Sequence, residues 1–188
     1  MQTKTISVFI LFSLLSYTAF AKNKYQKNAI TEKVEESLIS PPKANEVCFS
    51  PNEHCDFKLI KFIGSATKSI DMAIYDINLE QLVHALLVKS KSIQVRIIVD
   101  QKQAKGHHSL VSLLLKAGAN VRFGRQRSIF HNKFTIIDGL MVETGSFNYT
   151  HNASHNNNEN QIYLDQPEVI ARFKKRFDEI WAEAKIAK

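Results

Sequence analysis

The pattern of this chain predicts an α/β domain in which a mixed β-sheet is sandwiched by helices. Three observations carry that expectation. From about residue 56 onward, short runs with period-two apolar alternation take turns with segments whose apolar residues recur at helical spacing, as in layered α/β architectures. Asp138-Gly139 stands between two strand-forming runs and is a hairpin signal, which adds antiparallel strands to the parallel ones that alternation implies. From Val47 to Lys188 there are about 140 residues, enough for one domain with its own core.

Each element has a local reason. Asp56 is placed to cap a helix running to about Thr67, and "SIDMAIYDI" then reads as a strand with Ile70, Met72 and Ile74 on one face. Asn78 and Gln81 have capping-box spacing ahead of the stripe Leu79, Leu82, Val83, Leu86 and Leu87; His84 falls off that stripe and is expected at the surface. "SIQVRIIVD" is the next strand, leading through Asp100 into a loop, "QKQAKGHH". Ser109 is placed to cap a helix with Leu110, Leu113 and Leu114 facing inward, ended by Gly118. Strands follow at "ANVRFG", "KFTIID", "LMVETG" and "NQIYLD". Pro167 suits the first turn of a last helix running towards Lys188.

Ahead of this domain, residues 1–21 have one positive charge, Lys4, an apolar run from Ile6 to Leu15, and Ala19 and Ala21 spaced as a cleavage site. That is the pattern of a secretory signal peptide, and the run is too short and too interrupted by Ser13 and Ser16 for a retained membrane anchor. Residues 22–46 are polar and end in "SPPKANE", a tether or loosely docked segment before the domain at 47–188. The expected location is therefore secreted or periplasmic, with no stable membrane anchor after cleavage. In such a compartment a disulfide between Cys48 and Cys55 is expected.

The full chain has 25 Lys+Arg against 18 Asp+Glu; losing Lys4 with the leader leaves 24, a formal charge of +6. A modest positive balance attracts phosphate only weakly by itself. Its distribution is more telling, because Arg122, Arg125 and Arg127 crowd the approach to His131 and form an expected substrate-binding rim.

"FHNKFTIIDGLMVETGSFNYT" holds the densest set of chemical groups. His131 and Lys133 are two apart, as are Ser146 and Asn148 behind Gly145, so in extended chain each pair projects from one side of its strand. Imidazole can attack phosphorus, and an ammonium, a hydroxyl and an amide suit the oxygens of a phosphate. His151 and His155 have the i, i+4 spacing of helical zinc ligands, but "HNASH" lacks the glutamate of a zincin and its Asn-rich surroundings suggest a loop, so no metal is expected there. His107 and His108, with Lys102 and Lys105, read as a solvated loop at the rim.

"HNKFTIID" and "GSFN" resemble the paired signature of the phospholipase D superfamily, H-x-K-x4-D followed by G-[ST]-x-N. The likeness is to small single-motif bacterial members, the Nuc-like endonucleases, and runs from "FSP" through "YDI", "VRIIVD" and "NENQIY" to the last helix. The resemblance implies the phospholipase D/nuclease fold, with the active site at a homodimer interface. It implies that His131 attacks phosphorus, Lys133 and Asn148 grip the non-bridging oxygens, and Ser146 stands beside them. It further implies that Glu159 accepts from the second nitrogen of His131, that Asp138 is structural, and that no cofactor takes part. One motif per chain supplies one histidine where the chemistry needs two, and a two-fold axis through the cleft would supply the other. The expected substrate is nucleic acid, DNA or RNA. A phospholipid is the alternative, and a catalytically silent binding protein is disfavoured because binding alone would not require His131 and Glu159.

Overall fold

The computed structural model describes residues 40–124 and 128–187. The expected signal peptide, all of the tether before Ser40, and Arg125 and Arg127 lie outside the described residues. Contacts divide the chain at Ser40, and the second unit, Pro41–Lys188, holds every element below. The end of the tether segment is docked on it: Pro42 is buried, Asn45 N donates to Tyr163 O at 2.6 Å, and Tyr163 N donates to Glu46 O at 3.0 Å.

Eight strands, β1 (Val47–Ser50), β2 (Ser69–Ile74), β3 (Gln94–Val99), β4 (Asn120–Phe123), β5 (Lys133–Ile137), β6 (Met141–Gly145), β7 (Glu159–Leu164) and β8 (Lys185–Ile186), form one sheet. Its order is β1-β7-β6-β5-β2-β3-β4-β8. Strands β2, β3 and β4 are parallel and all other pairings are antiparallel, so the sheet is mixed. The described helices are α1 (Cys55–Ser65), α2 (Glu80–Lys89), α3 (Gln101–Ala104), α4 (Val111–Lys116), α5 (His151–His155) and α6 (Pro167–Glu183).

Alternation of side chains assigns the two faces. Ile70, Met72 and Ile74 of β2 pack with Leu59, Phe62, Leu82, Leu86, Val111 and Leu114 from α1, α2 and α4. Ala73 of β2, Ile98 of β3 and Phe134 and Ile136 of β5 point the other way, onto Ile170, Phe177 and Ile180 of α6. On that second face Arg96 bonds Asp71 through Nε and Nη2, both at 2.7 Å, and lies over the Phe177 and Trp181 rings. A buried carboxylate on β2 is thereby paired rather than left bare.

Several local expectations shift. Helix α1 begins at Cys55, bonded to Cys48 of β1, so His54 is its N-cap and Asp56 lies within the first turn. The capping box of Asn78 and Gln81 does not form; Asn78 Oδ1 accepts instead from His151 N at 2.9 Å. Leu113 is 46% exposed, and Val111 with Leu114 fills the inner side of α4. "QKQA" is a turn of helix capped by the Asp100 carboxylate, and "HNASH" is α5, capped by Thr150 Oγ1, where loops were expected. The last helix stops at Glu183 because Lys185 and Ile186 pair with β4. Asp138 and Gly139 have φ of 56° and 69°, as a type I′ hairpin turn requires.

Candidate functional site

The register brings the expected site residues to one edge of the sheet. Ile74, the last residue of β2, pairs with both Val99, the last of β3, and Lys133, the first of β5. Next to them Phe134 pairs with Thr144, Gly145 with Gln161, and Ser50 with Glu159. The site thus gathers beyond the carboxyl ends of β2 and β3, the usual ligand edge of open α/β sheets. His131 precedes β5, while Ser146 and Asn148 follow β6.

His131 and Lys133 meet directly. Lys133 Nζ lies 3.2 Å from His131 Nε2 and 3.4 Å from His131 O. An ammonium can only donate, so Nε2 accepts, and its lone pair is directed at Lys133. Lys133 is 9% exposed, and burial lowers its pKa from the usual lysine value, with the Glu159 charge acting in the opposite sense. Tyr75, just past β2, walls both groups: its ring is 4.7 Å from the His131 ring and 5.2 Å from Lys133 Nζ. Gln103 Nε2 donates to the Tyr75 hydroxyl at 2.7 Å, and Asp100 Oδ2 accepts from Phe130 N at 3.0 Å, fixing the chain just ahead of His131.

The second half of the motif is held by close backbone approach. A Cβ at Gly145 would collide with the carbonyl oxygen of Asn160, so only glycine fits there. Ser146 Oγ donates to Glu159 Oε2 at 2.5 Å and accepts from Asn160 N at 3.1 Å. Asn157 Nδ2 donates to the other Glu159 oxygen at 2.9 Å. Among the described residues no hydrogen bond joins Glu159 to His131; both carboxylate oxygens are already engaged by Ser146 and Asn157. Asn148 is held by its neighbours: Tyr149 N donates to Asp76 O, while Tyr149 O accepts from Asn78 N and Leu79 N. Asn148 Oδ1 is buried without a partner among the described residues, so its amide is not consumed by the fold's own network.

Behind this edge is a wholly buried polar chain that the sequence reading missed. The Tyr149 hydroxyl donates to Glu143 Oε2 and lies 2.7 Å from Thr135 Oγ1, linking the strand that carries Lys133 to the loop that carries Asn148. Burial pushes the Glu143 carboxyl up to about 8. Glu143 stands in a strand between Val142 and Thr144, and its register position opposite Thr135 was the available signal.

Asp138 is remote from this cluster. It accepts from Thr67 Oγ1 (2.8 Å), Lys68 N (2.7 Å) and Ser69 N (2.9 Å), as well as Thr67 N, and joins the hairpin turn to the start of β2. Burial raises its pKa, but the hydrogen bonds from Ser69, Lys68 and Thr67 outweigh that and hold it below the usual aspartate value.

The expected basic rim needs correction at Arg122. Its Nη1 donates to Trp181 O at 2.6 Å and its guanidinium lies 4.3 Å from the Trp181 ring, so it ties β4 to α6 and does not face the site. Two other arginines share a cavity with its His131 and Lys133. A cavity of about 510 Å³ opens beside His131 and Lys133, and Arg172 and Arg176 of α6 line it with Phe134 and Phe173. Neither arginine was singled out from the sequence. Their i, i+4 spacing with Val169 and Phe173 on the same stripe was the signal.

Comparison with known proteins agrees with this geometry. Residues 59–181 match the family described as cardiolipin synthase, PLD-like domain. The chain belongs to the phospholipase D superfamily. Nuc from Salmonella typhimurium, a phospholipase D family member, superposes with a TM-score of 0.72 at 27% identity, covering 77% of this chain and 98% of that one. NucT from Helicobacter pylori gives 0.70 at 28%, covering 76% and 98%. Among curated proteins, phospholipase D of Rickettsia bellii (strain RML369-C) is 30% identical over 180 residues, 88% of this chain and 89% of that protein. Mitochondrial cardiolipin hydrolase of Chlamydomonas reinhardtii is 34% identical over 138 residues, 69% of this chain but only 62% of its own length. The fold is the Nuc-like phospholipase D fold, and the chain is a phosphodiesterase of that superfamily.

Proposed function

We propose that this phospholipase D superfamily member hydrolyses nucleic-acid phosphodiesters without a metal, through a covalent phosphohistidine at His131. The observation that carries the reading is the contact of Lys133 Nζ with His131 Nε2 at 3.2 Å, at an edge that also holds Asn148 with an uncommitted amide. Phosphate entering the cleft draws the Lys133 ammonium onto its non-bridging oxygens and frees Nε2. That nitrogen attacks phosphorus, the ester P–O bond breaks, and the leaving oxygen takes a proton from a second imidazole. Water then gives its proton to that imidazole, attacks phosphorus and breaks the N–P bond. We assign the second imidazole to the partner subunit's His131 in a homodimer, since the chain carries one copy of the motif. Glu159 acts through its electrostatic support of Lys133 and its hold on Ser146.

Nucleic acid is favoured over lipid by the match to nearly the whole length of Nuc and NucT. The surface agrees: among the described residues no helix is long and apolar enough to cross a membrane, and no helix carries more than one exposed large apolar side chain. Docking on a bilayer by an amphipathic helix would need a broad apolar face. A phospholipid substrate is the second reading, favoured by the cardiolipin hydrolase matches. The test is incubation of the purified protein, with chelator present, with single-stranded DNA, duplex DNA, RNA, phosphatidylcholine vesicles and cardiolipin vesicles. Cleavage of a nucleic acid is expected; turnover of lipid alone would replace the first reading by the second.

A further inference from the structure

The geometry points to a second phosphate subsite on α6, in which Arg172 and Arg176 take the phosphate next to the one attacked at His131. The inference rests on the nucleic-acid reading and extends it along the strand. The cavity beside His131 does not end at the nucleophile. It meets a second cavity of about 270 Å³ that shares Asn132 and Arg176 with it and continues past Phe130 and Ile180. Together they make a groove between α6 and the chain leading into β5, with His131 and Lys133 at one end.

Ile180 and Glu183 of α6 line the second cavity, and four residues of the same helix line the one beside His131: Val169, Arg172, Phe173 and Arg176. Their spacing of i, i+3, i+4 and i+7 is one face of a helix. On a helix whose apolar stripe elsewhere is packed against the sheet, this face sets two arginines in one cavity with a partly buried aromatic pair, the Phe173 ring 5.0 Å from that of Phe134. The cations of the second face divide into two sets. Arg96 and Lys174 are held by Asp71 and Asp178, and Arg122 by Trp181. Arg172, by contrast, makes no hydrogen bond or ion pair among the described residues. Arg176 has only Glu179 at 3.2 Å, with both side chains largely exposed, a pair worth little in water.

Guanidinium is the group best shaped to grip phosphate through two parallel hydrogen bonds, and an aromatic wall accepts a sugar or a base face without regard to sequence. A molecule with a single phosphate fills only the end at His131 and Lys133. A strand with a neighbouring phosphate fills both positions, and its binding energy is then available to position the reacting one.

The experiment compares kcat/KM of the full chain for three thymidine dinucleotides: TpT, which has one phosphate, and its 5′- and 3′-phosphorylated forms. At least one phosphorylated form should be preferred to TpT by about tenfold or more, the effect of one charge-assisted hydrogen bond. In R172Q/R176Q, whose side chains are at the surface, the preference should fall to near one with an unchanged melting temperature. K175Q, which removes one charge from the same helix away from the groove, should keep it. Equal rates for all three dinucleotides would overturn the subsite while leaving the nuclease reading intact. A preference retained in R172Q/R176Q, or lost equally in K175Q, would also overturn it. Hydrolysis of cardiolipin vesicles with no cleavage of any nucleic acid would remove the nuclease reading and this subsite with it.

Discussion

Replacing Glu143 by Gln should remove a pH dependence from the stability of the fold. Glu143 has no solvent exposure, and burial pushes its carboxyl from the ordinary 4.5 up to about 8. Between those values the folded chain holds a proton that the unfolded chain releases. The contribution of Glu143 is therefore fullest below pH 4.5 and falls as pH rises towards 8, by about 1.4 kcal/mol per unit and about 5 kcal/mol across the window. Glutamine keeps the shape and the hydrogen bond to Tyr149 but cannot ionise. Urea denaturation followed by the fluorescence of the single tryptophan, Trp181, gives both stabilities at pH 5.5 and 7.5. Every other titrating group is common to the two proteins and cancels, so the stability of E143Q relative to the unaltered chain should rise by about 3 kcal/mol between those pH values. Parallel pH curves for the two proteins would refute the reasoning.

Activity should survive EDTA, because histidine and lysine take the roles that a cation has in metallonucleases; complete loss restored by a divalent ion, read in a standard cleavage assay, would contradict it. Asp138→Ala should lower stability by about 2 kcal/mol or more, since four hydrogen bonds converge on its carboxylate, and chemical denaturation measures it. Because its pKa is held below the ordinary 3.8, that contribution is present above this value and is lost as pH falls below it. If two His131 side chains share one cleft, one must be neutral to attack while the other is charged to protonate the leaving oxygen. The rate should then pass through a maximum in pH, and activity should vanish on dilution together with the dimer in analytical ultracentrifugation. A fully active monomer would turn attention to His107 and His108, both exposed.

Where side-chain period coincided with a tertiary face, the sequence was readable. Ile70, Met72 and Ile74 share the face expected of them, and Asp138-Gly139 makes the turn that its left-handed backbone needs. Strands β1 and β8 were missed for a physical reason: four and two residues at the sheet's edges have too little period to register, and they form because partners elsewhere in the chain hold them. Asn78 shows the limit of local capping rules. Its side chain had two possible backbone donors, and the distant one, His151 N, won because the segment around Tyr149 is drawn against the end of β2. The spacing of His131, Lys133, Ser146 and Asn148 located the site, but the direction of charge near it was not local information. Arg122 is adjacent in sequence and faces Trp181, whereas Arg172 and Arg176, some forty residues away, reach the cavity because α6 crosses the face of β5.

The claim that His131 carries the phosphoryl group can be tested by trapping. A single-turnover reaction with a nucleic-acid substrate is quenched in alkaline denaturant, where a phosphorus–nitrogen bond to histidine persists, and the peptides are weighed by mass spectrometry. The account predicts a nucleotide or oligonucleotide phosphate adduct on the peptide containing His131, absent from His131→Ala, whose turnover falls by about 10³-fold or more. Near-normal turnover in His131→Ala, or an adduct on any other residue, would contradict it.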